Sequence, residues 1–344
     1  MTEASEGRPP WERLPVDTPR DASPAEVGEF AGEIAVGAGA LLLDLFRGPL
    51  QIEFKDRAQR DPVSQADRNA EEYLRRAILA RFPDHAILGE EGKDVGPADA
   101  PYTWVLDPLD GTTNYINGLP LFAVSVGVLQ HGRPAAGAIW TPASPSGHAG
   151  LFGASRGSGA SLDGSPLRIA SAASGDDLPI PRRLAAVPGG FGVMLSFSGP
   201  VRRRPGEART LGSIAVEAAL VAAGVLQYAI FWSPKIWDVA AAATIVREAG
   251  GAVLVRQQGR WRDLNHFAIQ RDKKGRPRPL RDWTAPVIVA APPLAASVAA
   301  NLHPTLLGRV AQVAQRPVVR RGRRIARLLW REFGPPRTPS APSK

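Results

Sequence analysis

Trp104-Val105-Leu106-Asp107-Pro108-Leu109-Asp110-Gly111-Thr112-Thr113-Asn114 is the stretch on which the fold turns. A short apolar run of strand-forming type meets two aspartates three residues apart, with a proline between them and Gly-Thr-Thr behind. Carboxylates at a strand end can share a divalent ion, because Mg²⁺ takes oxygen ligands and keeps several waters. Gly111 lets the backbone approach closely, and the N–H groups of Gly111 and Thr112 at a helix start can receive a phosphate. Taken alone, the segment also reads as a capped turn, since Asp and Gly are common where strands end.

Two other acidic sites change that balance. Leu88-Gly89-Glu90-Glu91-Gly92 sets paired glutamates after a short apolar run, and Lys235-Ile236-Trp237-Asp238-Val239-Ala240 sets one aspartate at the start of an Ala-rich helix. Singly, Glu90 and Glu91 fit a solvated turn and Asp238 a helix cap.

Outward from these sites the texture is that of a mixed fold. Ser23-Pro24-Ala25-Glu26 carries an N-cap, a proline at the first helical position and a capping-box glutamate, followed by Phe30, Ile34, Leu41 and Leu42 running toward Gly48. Helical spacing of Leu74, Ala77, Ile78 and Phe82 predicts a second helix from about Asn69 to Arg81. Trp104–Leu106, Leu121–Leu129 and Ala135–Trp140 read as strands. From Gly212 the pattern alternates: helix Ser213–Ala223, strand Leu226–Phe231, helix Ile236–Ala249, strand Ala252–Val255, which predicts α/β packing. A polar, Pro- and Lys-rich insertion, Arg256–Asp282, precedes a strand at Val287–Ala290.

Composition removes several chemistries. The 344 residues contain no cysteine, which excludes disulfides, iron–sulfur ligation, thiol nucleophiles and Cys-bound zinc. The five histidines never fall as a close pair, so metal chemistry here must come from carboxylates. The start of the chain lacks a basic region followed by an apolar core, and the apolar stretch Val287–Leu302 is interrupted by Pro292 and Pro293, so a cytoplasmic location is expected. The formal charge of +9 is concentrated at one end: Arg316–Lys344 holds nine basic residues against the single acid Glu332. Within it, residues 318–333 form a basic amphipathic helix pattern interrupted by Gly322, suited to packing on its own domain, to an anionic membrane surface or to nucleic acid.

Taken in order, Asp61-Pro62-Val63-Ser64-Gln65-Ala66-Asp67, the G-E-E of 89–91, the D-P-L-D-G-T-T-N of 107–114 and the W-D-V-A-A of 237–241 resemble the inositol monophosphatase family. The resemblance runs from about Ser23 to Ala300. It implies a layered αβαβα sandwich of the inositol monophosphatase and fructose bisphosphatase type, with an α+β part over about 23–170 and an α/β part over about 171–302. This 23–302 phosphatase domain would sit between a lead-in of residues 1–22 and a basic extension of residues 303–344.

The resemblance also implies roles. Glu90, Asp107 and the Leu109 carbonyl would hold one Mg²⁺, and Asp107, Asp110 and Asp238 a second, in a site of roughly two or three ions. Thr112 and Asp67 would activate water; Gly111, Thr112, Gly212, Ser213 and Asp238 would contact phosphate or substrate. Lys55 and Ser64 fall in the stretch that forms a flap in the family, and Glu91 lies beside the ligand Glu90. Phe231 stands seven residues before Asp238, where inositol phosphatases carry a ring-binding Glu, while nearby Lys235 offers a charge for an additional anionic group. The implied activity is hydrolysis of a small phosphate monoester, with inositol-1-phosphate or a similar polyol or sugar phosphate as first choice. Histidinol phosphate, fructose-1,6-bisphosphate and 3′-phosphoadenosine 5′-phosphate are the alternatives, and an RNA- or transcription-associated binding protein on the same fold is the rival of another class. A homodimer and inhibition by Li⁺ complete what the resemblance implies.

Overall fold

Ser23 and Glu26 close the capping box that the sequence predicts. The Ser23 N–H and hydroxyl donate to Glu26 Oε2 at 2.7 and 2.9 Å, and the Glu26 N–H returns to Ser23 Oγ at 3.3 Å. This computed structural model describes residues 22–46, 52–54, 62–97, 99–169, 177–271 and 274–308. Residues 1–21 of the lead-in, Lys55 and the stretch of about 318–333 with the basic amphipathic pattern lie outside the described residues.

The helices among the described residues are α1 (Pro24–Phe46), α2 (Gln65–Arg81), α3 (Thr112–Ile116), α4 (Gly199–Arg203), α5 (Ile214–Ala222), α6 (Ile236–Glu248) and α7 (Pro292–Asn301). A seven-stranded sheet runs in sequence order through Ala86–Gly89, Tyr102–Asp110, Ala123–Gln130, Arg133–Thr141, Gly150–Ser155, Gly159–Leu162 and Ser165–Leu167. A six-stranded sheet is ordered Glu207–Arg209, Leu184–Ala186, Leu226–Phe231, Val287–Ala290, Ala252–Gln257, Arg260–Asp263.

The period-two alternation of the strands explains the layers. Trp104 and Leu106 turn toward α1 and α2, while Val105 turns the other way, into a core shared with α5 and α6. Along the second sheet, Ala229, Phe231, Val287 and Val289 join that same middle core, and Tyr228, Ile230, Ile288 and Ala290 pack with α7 on the far side. The order is therefore helices, sheet, helices, sheet, helices, which is the sandwich the resemblance implies.

Several boundaries differ from the sequence reading, among them the strand read as Trp104–Leu106, which runs from Tyr102 to Asp110. The second helix starts at Gln65 rather than Asn69, because the polar 65–68 turn is continued by Ala66 and Ala70 buried below it. Asp67 is therefore in the first turn of α2 and not ahead of it. The insertion of 256–282 is not wholly irregular: Arg260–Asp263 pairs antiparallel with Leu254–Gln257 and becomes the sheet edge. Toward the other end, the prolines at 292 and 293 that interrupt the apolar stretch Val287–Leu302 start α7, where a missing N–H costs nothing.

Two glycines set the distance between the first sheet and the middle helices. Gly127 and Gly137 are cross-strand partners. A Cβ at Gly127 would lie 2.5 Å from Ala240 Cβ, and one at Gly137 would lie 2.4 Å from the Ala241 carbonyl oxygen. Helix α6 rests almost directly on the backbone of the sheet, and Ser125 Oγ donates to the Trp237 carbonyl at 3.2 Å beside it. On the opposite face, Trp104 Nε1 donates to His85 Nδ1 at 3.0 Å, and the imidazole stacks on Phe82 with centroids 4.6 Å apart. Burial holds this imidazole neutral, pushed down to about 4.

Two outcomes follow for stability. Gly137→Ala is expected to cost about 1–3 kcal/mol in denaturant unfolding, since the contact is with backbone that cannot rotate away. Because the folded state binds the His85 proton less readily than the unfolded chain, stability is full above pH 6.5 and declines as the pH falls toward about 4. His85→Asn, which keeps an acceptor for Trp104, should flatten the melting temperature over that window relative to the parent.

Candidate metal centre and active site

Two aspartates three apart on a regular strand point to opposite faces. Here they do not, because the ladder carries an extra residue: Asp107 pairs with Ser125, whereas Asp110 pairs with Ala123. Pro108 and Leu109 together face the single residue Val124, a β-bulge that re-aims the next side chain. Pro108 has no N–H to lose from the ladder, and the Leu109 N–H donates to Asp107 Oδ1 at 3.1 Å. Leu109 goes into the core under α1, and Asp110 returns to the face of Asp107. Helix α6 begins on that face, and Asp107, Asp110 and Asp238 bring carboxylate oxygens within 4.8 Å of one another.

Glu90 arrives by the neighbouring strand. Ala86–Gly89 runs parallel to Thr103–Leu106 with Gly89 opposite Leu106, and the Glu90 N–H donates to the Leu106 carbonyl at 3.1 Å. The two strands run the same way, so Glu90, next after Gly89, comes alongside Asp107, next after Leu106. The turn after Glu90 is fixed by Glu71 of α2, buried at 3% exposure, which accepts from the N–H groups of Glu91 at 2.7 Å and Gly92 at 2.8 Å. Nothing in the sequence pattern marks Glu71 as more than a helix-surface acid paired with Arg75.

The electrostatics show which kind of group this cluster suits. Burial, and then the charges of Glu90, Asp110, Asp238 and Asp67, push Asp107 well above the usual carboxylate range. Burial also pushes Asp110 up, against hydrogen bonds from Ser213, Ala215 and Ile214 that pull it down. Asp238 is likewise raised, by burial and then by Asp110, while the Lys235 N–H donating at 2.7 Å opposes the shift. Buried carboxylates that repel one another are stabilised by a cation, and an all-oxygen set suits a hard divalent ion. The residues present fit such an ion.

Beside the carboxylates, Thr112 Oγ1 lies 3.4 Å from Asp67 Oδ1 and 3.1 Å from the Leu109 carbonyl oxygen. Asp67 is buried at 2% exposure. Gly111 makes the turn between Asp110 and Thr112 with φ of 93°, a conformation that favours glycine, and a Cβ there would sit 3.0 Å from the Leu121 carbonyl oxygen.

Gly212 and Ser213 come to the same place from α5. Ser213 caps that helix, accepting from the Val216 N–H at 3.2 Å, while its own hydroxyl donates to Asp110 Oδ2 at 2.6 Å. The Ala215 N–H also donates to Asp110 Oδ2 at 2.6 Å, so one carboxylate oxygen of Asp110 belongs to the helix terminus. Two residues the sequence reading left without a role join the halves. Asn114 donates to the carbonyls of Leu121 at 2.6 Å and Leu211 at 2.7 Å, and Glu217, raised by burial to about 7, accepts from the Leu211 N–H at 2.7 Å. Asn114 was visible within the D-G-T-T-N run; Glu217 is one acid in an apolar helix and gives no local signal.

The substrate selectors are less uniform. Phe231 is 2% exposed and packs in the middle core, so the apolar residue at this position turns its ring into the protein interior. Lys235 is exposed, and its backbone is what holds Asp238. The backbone of Ser64 pairs with Ile52, and Glu91 is half-buried with its N–H on Glu71.

Comparisons with known proteins bear on the family and the fold. The model of the inositol monophosphatase family matches residues 23–303. The fructose-1,6-bisphosphatase/inositol-1-monophosphatase of Aquifex aeolicus is 32% identical over 231 residues, 65% of this chain and 83% of that protein. The inositol-1-monophosphatase of a Synechocystis strain is 36% identical over 235 residues, 65% of this chain and 77% of that protein. The crystal structure of the extragenic suppressor protein suhB from Bartonella henselae superposes with a TM-score of 0.61 at 28% identity, covering 80% of this chain and 97% of that one.

Removal of one charge tests the repulsion directly. Asp107→Asn should raise the metal-free melting temperature by about 2–4 °C and abolish any further rise on adding Mg²⁺. A metal-free variant no more stable than its parent would contradict the mutual repulsion.

Proposed function

The chain belongs to the inositol monophosphatase family, and from that premise we propose that this phosphatase hydrolyses a small phosphate monoester with Mg²⁺, inositol-1-phosphate or a similar polyol or sugar phosphate being the substrate. The observation that carries the reading is the meeting of Asp107, Asp110 and Asp238 beside the contact of Thr112 with Asp67.

Glu90, Asp107, the Leu109 carbonyl, Asp110 and Asp238 are the groups that would hold the ions. When bound, such ions lower the pKa of water and neutralise charge on the leaving oxygen. The chain supplies the proton path. The Thr112 hydroxyl has one proton and two neighbouring acceptors, Asp67 Oδ1 and the Leu109 carbonyl, so its lone pairs are left to accept a hydrogen bond from water. As water attacks phosphorus and the P–O bond to the alcohol breaks, the water proton passes to Thr112 Oγ1 and the threonine proton to Asp67 Oδ1, and the departing alkoxide takes a proton from solvent. A buried carboxylate is a stronger base than the hydroxyl alone, which gives the relay its direction. The Gly111 turn and the Gly212–Ser213 helix start frame the phosphate side of this arrangement.

Support for the substrate class comes from the names of the relatives and from the D-P-L-D-G-T-T-N and W-D motifs. The core position of Phe231 leaves Lys235 as the charged group of that segment available to an additional anionic group on the substrate. The full form of the reading is a cytoplasmic, Li⁺-inhibited homodimer; no described helix is long and apolar enough to cross a membrane.

Phosphate release from inositol-1-phosphate, fructose-1,6-bisphosphate, histidinol phosphate and 3′-phosphoadenosine 5′-phosphate, with and without Mg²⁺, tests the reading. Mg²⁺-dependent turnover, fastest on inositol-1-phosphate, is expected; a clear preference for another member would replace the substrate, and no turnover on any would overturn the function. Thr112→Val and Asp67→Asn should each lower kcat by about 10²–10⁴-fold while Mg²⁺ binding measured by calorimetry is retained.

A further inference from the structure

The polar insertion of 256–282 carries no catalytic motif, yet one of its arginines reaches the turn that bears Glu90. Arg281 lies in the short 3-10 turn Leu280–Asp282 that precedes the buried Trp283. Its Nη2 donates to the Gly89 carbonyl at 3.2 Å and to the Gly92 carbonyl at 3.4 Å, and its Nη1 lies 3.3 Å from Asp94 Oδ1. The two carbonyls bracket Glu90 and Glu91.

The same turn is held from its other side by Glu71, which accepts from the N–H groups of Glu91 and Gly92. The two grips use complementary chemistry: a carboxylate takes the peptide donors and a guanidinium takes the peptide acceptors. Space is already filled on the Glu71 side, since a Cβ at Gly89 or Gly92 would lie 2.4 or 2.6 Å from Glu71 Oε1. The turn therefore cannot shift toward α2, and on its other side the Arg281 guanidinium joins the Glu90 N–H bond to the Leu106 carbonyl in holding it. Arg281 keeps 32% of its side-chain surface exposed, which is little burial for a residue serving only to fill the core.

We propose that Arg281 is a positioning residue for the metal centre: the insertion clasps the 89–92 turn through Arg281 and so presets the Glu90 carboxylate next to Asp107 for a divalent ion. This rests on the metal-dependent reading of the site given above. Without the clasp, the turn would have to be ordered by the ion itself, and that cost appears as weaker binding.

Calorimetric titration of Mg²⁺ into the full chain, the parent protein beside Glu90→Gln, Arg281→Ala, Arg281→Lys and Asp94→Asn, separates the possibilities. Arg281→Ala is expected to weaken Mg²⁺ binding by about tenfold or more, as loss of a group that orients a ligand does. Its metal-free melting temperature should stay within about 2 °C of the parent, because Trp283 and the sheet edge remain in place. Arg281→Lys, able to reach the carbonyls as a point charge, should recover part of the affinity, and Asp94→Asn should weaken it less than Arg281→Ala. Arg281→Ala binding within about twofold of the parent, while Glu90→Gln is weakened, overturns the clasp and leaves the metal reading intact. A parent protein that binds no Mg²⁺ overturns both. Should Arg281→Ala fail to fold, Arg281→Met, which keeps the stem and has no donor, decides: parental affinity overturns the clasp and reduced affinity supports it.

Discussion

One extra residue in a β-ladder is the constraint on which the site depends. Without the bulge at Pro108 and Leu109, Asp110 would face α1 with Leu106, and its charge would be buried among apolar side chains. With it, two carboxylates from one strand point into the middle layer, where two helix termini wait. The proline in the bulge has no donor to lose from the ladder, and the Leu109 N–H finds its acceptor in Asp107 itself. The distortion is thus satisfied locally, by the same residues that make the site.

The second condition is the height of α6 above the sheet. Gly127 and Gly137 remove the side chains that would hold the helix off, and Ala240 and Ala241 present the smallest possible face in return. Asp238 is carried on the first turn of that helix, so the glycine pair and the carboxylate cluster are linked through a rigid element. α5 contributes by a different route: Ser213 and the Ala215 N–H both donate to Oδ2 of Asp110, which fixes the orientation of the carboxylate. The layered order gives these contacts a single meeting place, because the middle helices touch both sheets.

Much of this was legible in the residues. The capping box at Ser23, the strand Leu226–Phe231 and the start of α6 follow from spacing and cap chemistry, and the acids at 90, 107, 110 and 238 stand out because each interrupts an apolar run. What was not legible depends on register or on distance along the chain. The bulge leaves no trace in composition beyond Pro108. Asp67 reads as a residue ahead of a helix until the buried Ala66 and Ala70 show that the helix has already begun. Phe231 sits at a position marked by resemblance, and only the alternation of its strand reveals that its ring faces the core. Glu71 and Arg281 look like solvated charges in the sequence, and act on a turn twenty and nearly two hundred residues away from them.

The bulged strand and α6 together bring Asp107, Asp110 and Asp238 into an arrangement suited to one divalent-ion centre. Crystals grown with Mn²⁺ and measured for anomalous scattering test this most directly. The account predicts a strong anomalous peak in contact with the carboxylates of Asp107, Asp110 and Asp238. Peaks found only at other acids, with those three side chains bare at saturating Mn²⁺, would contradict it.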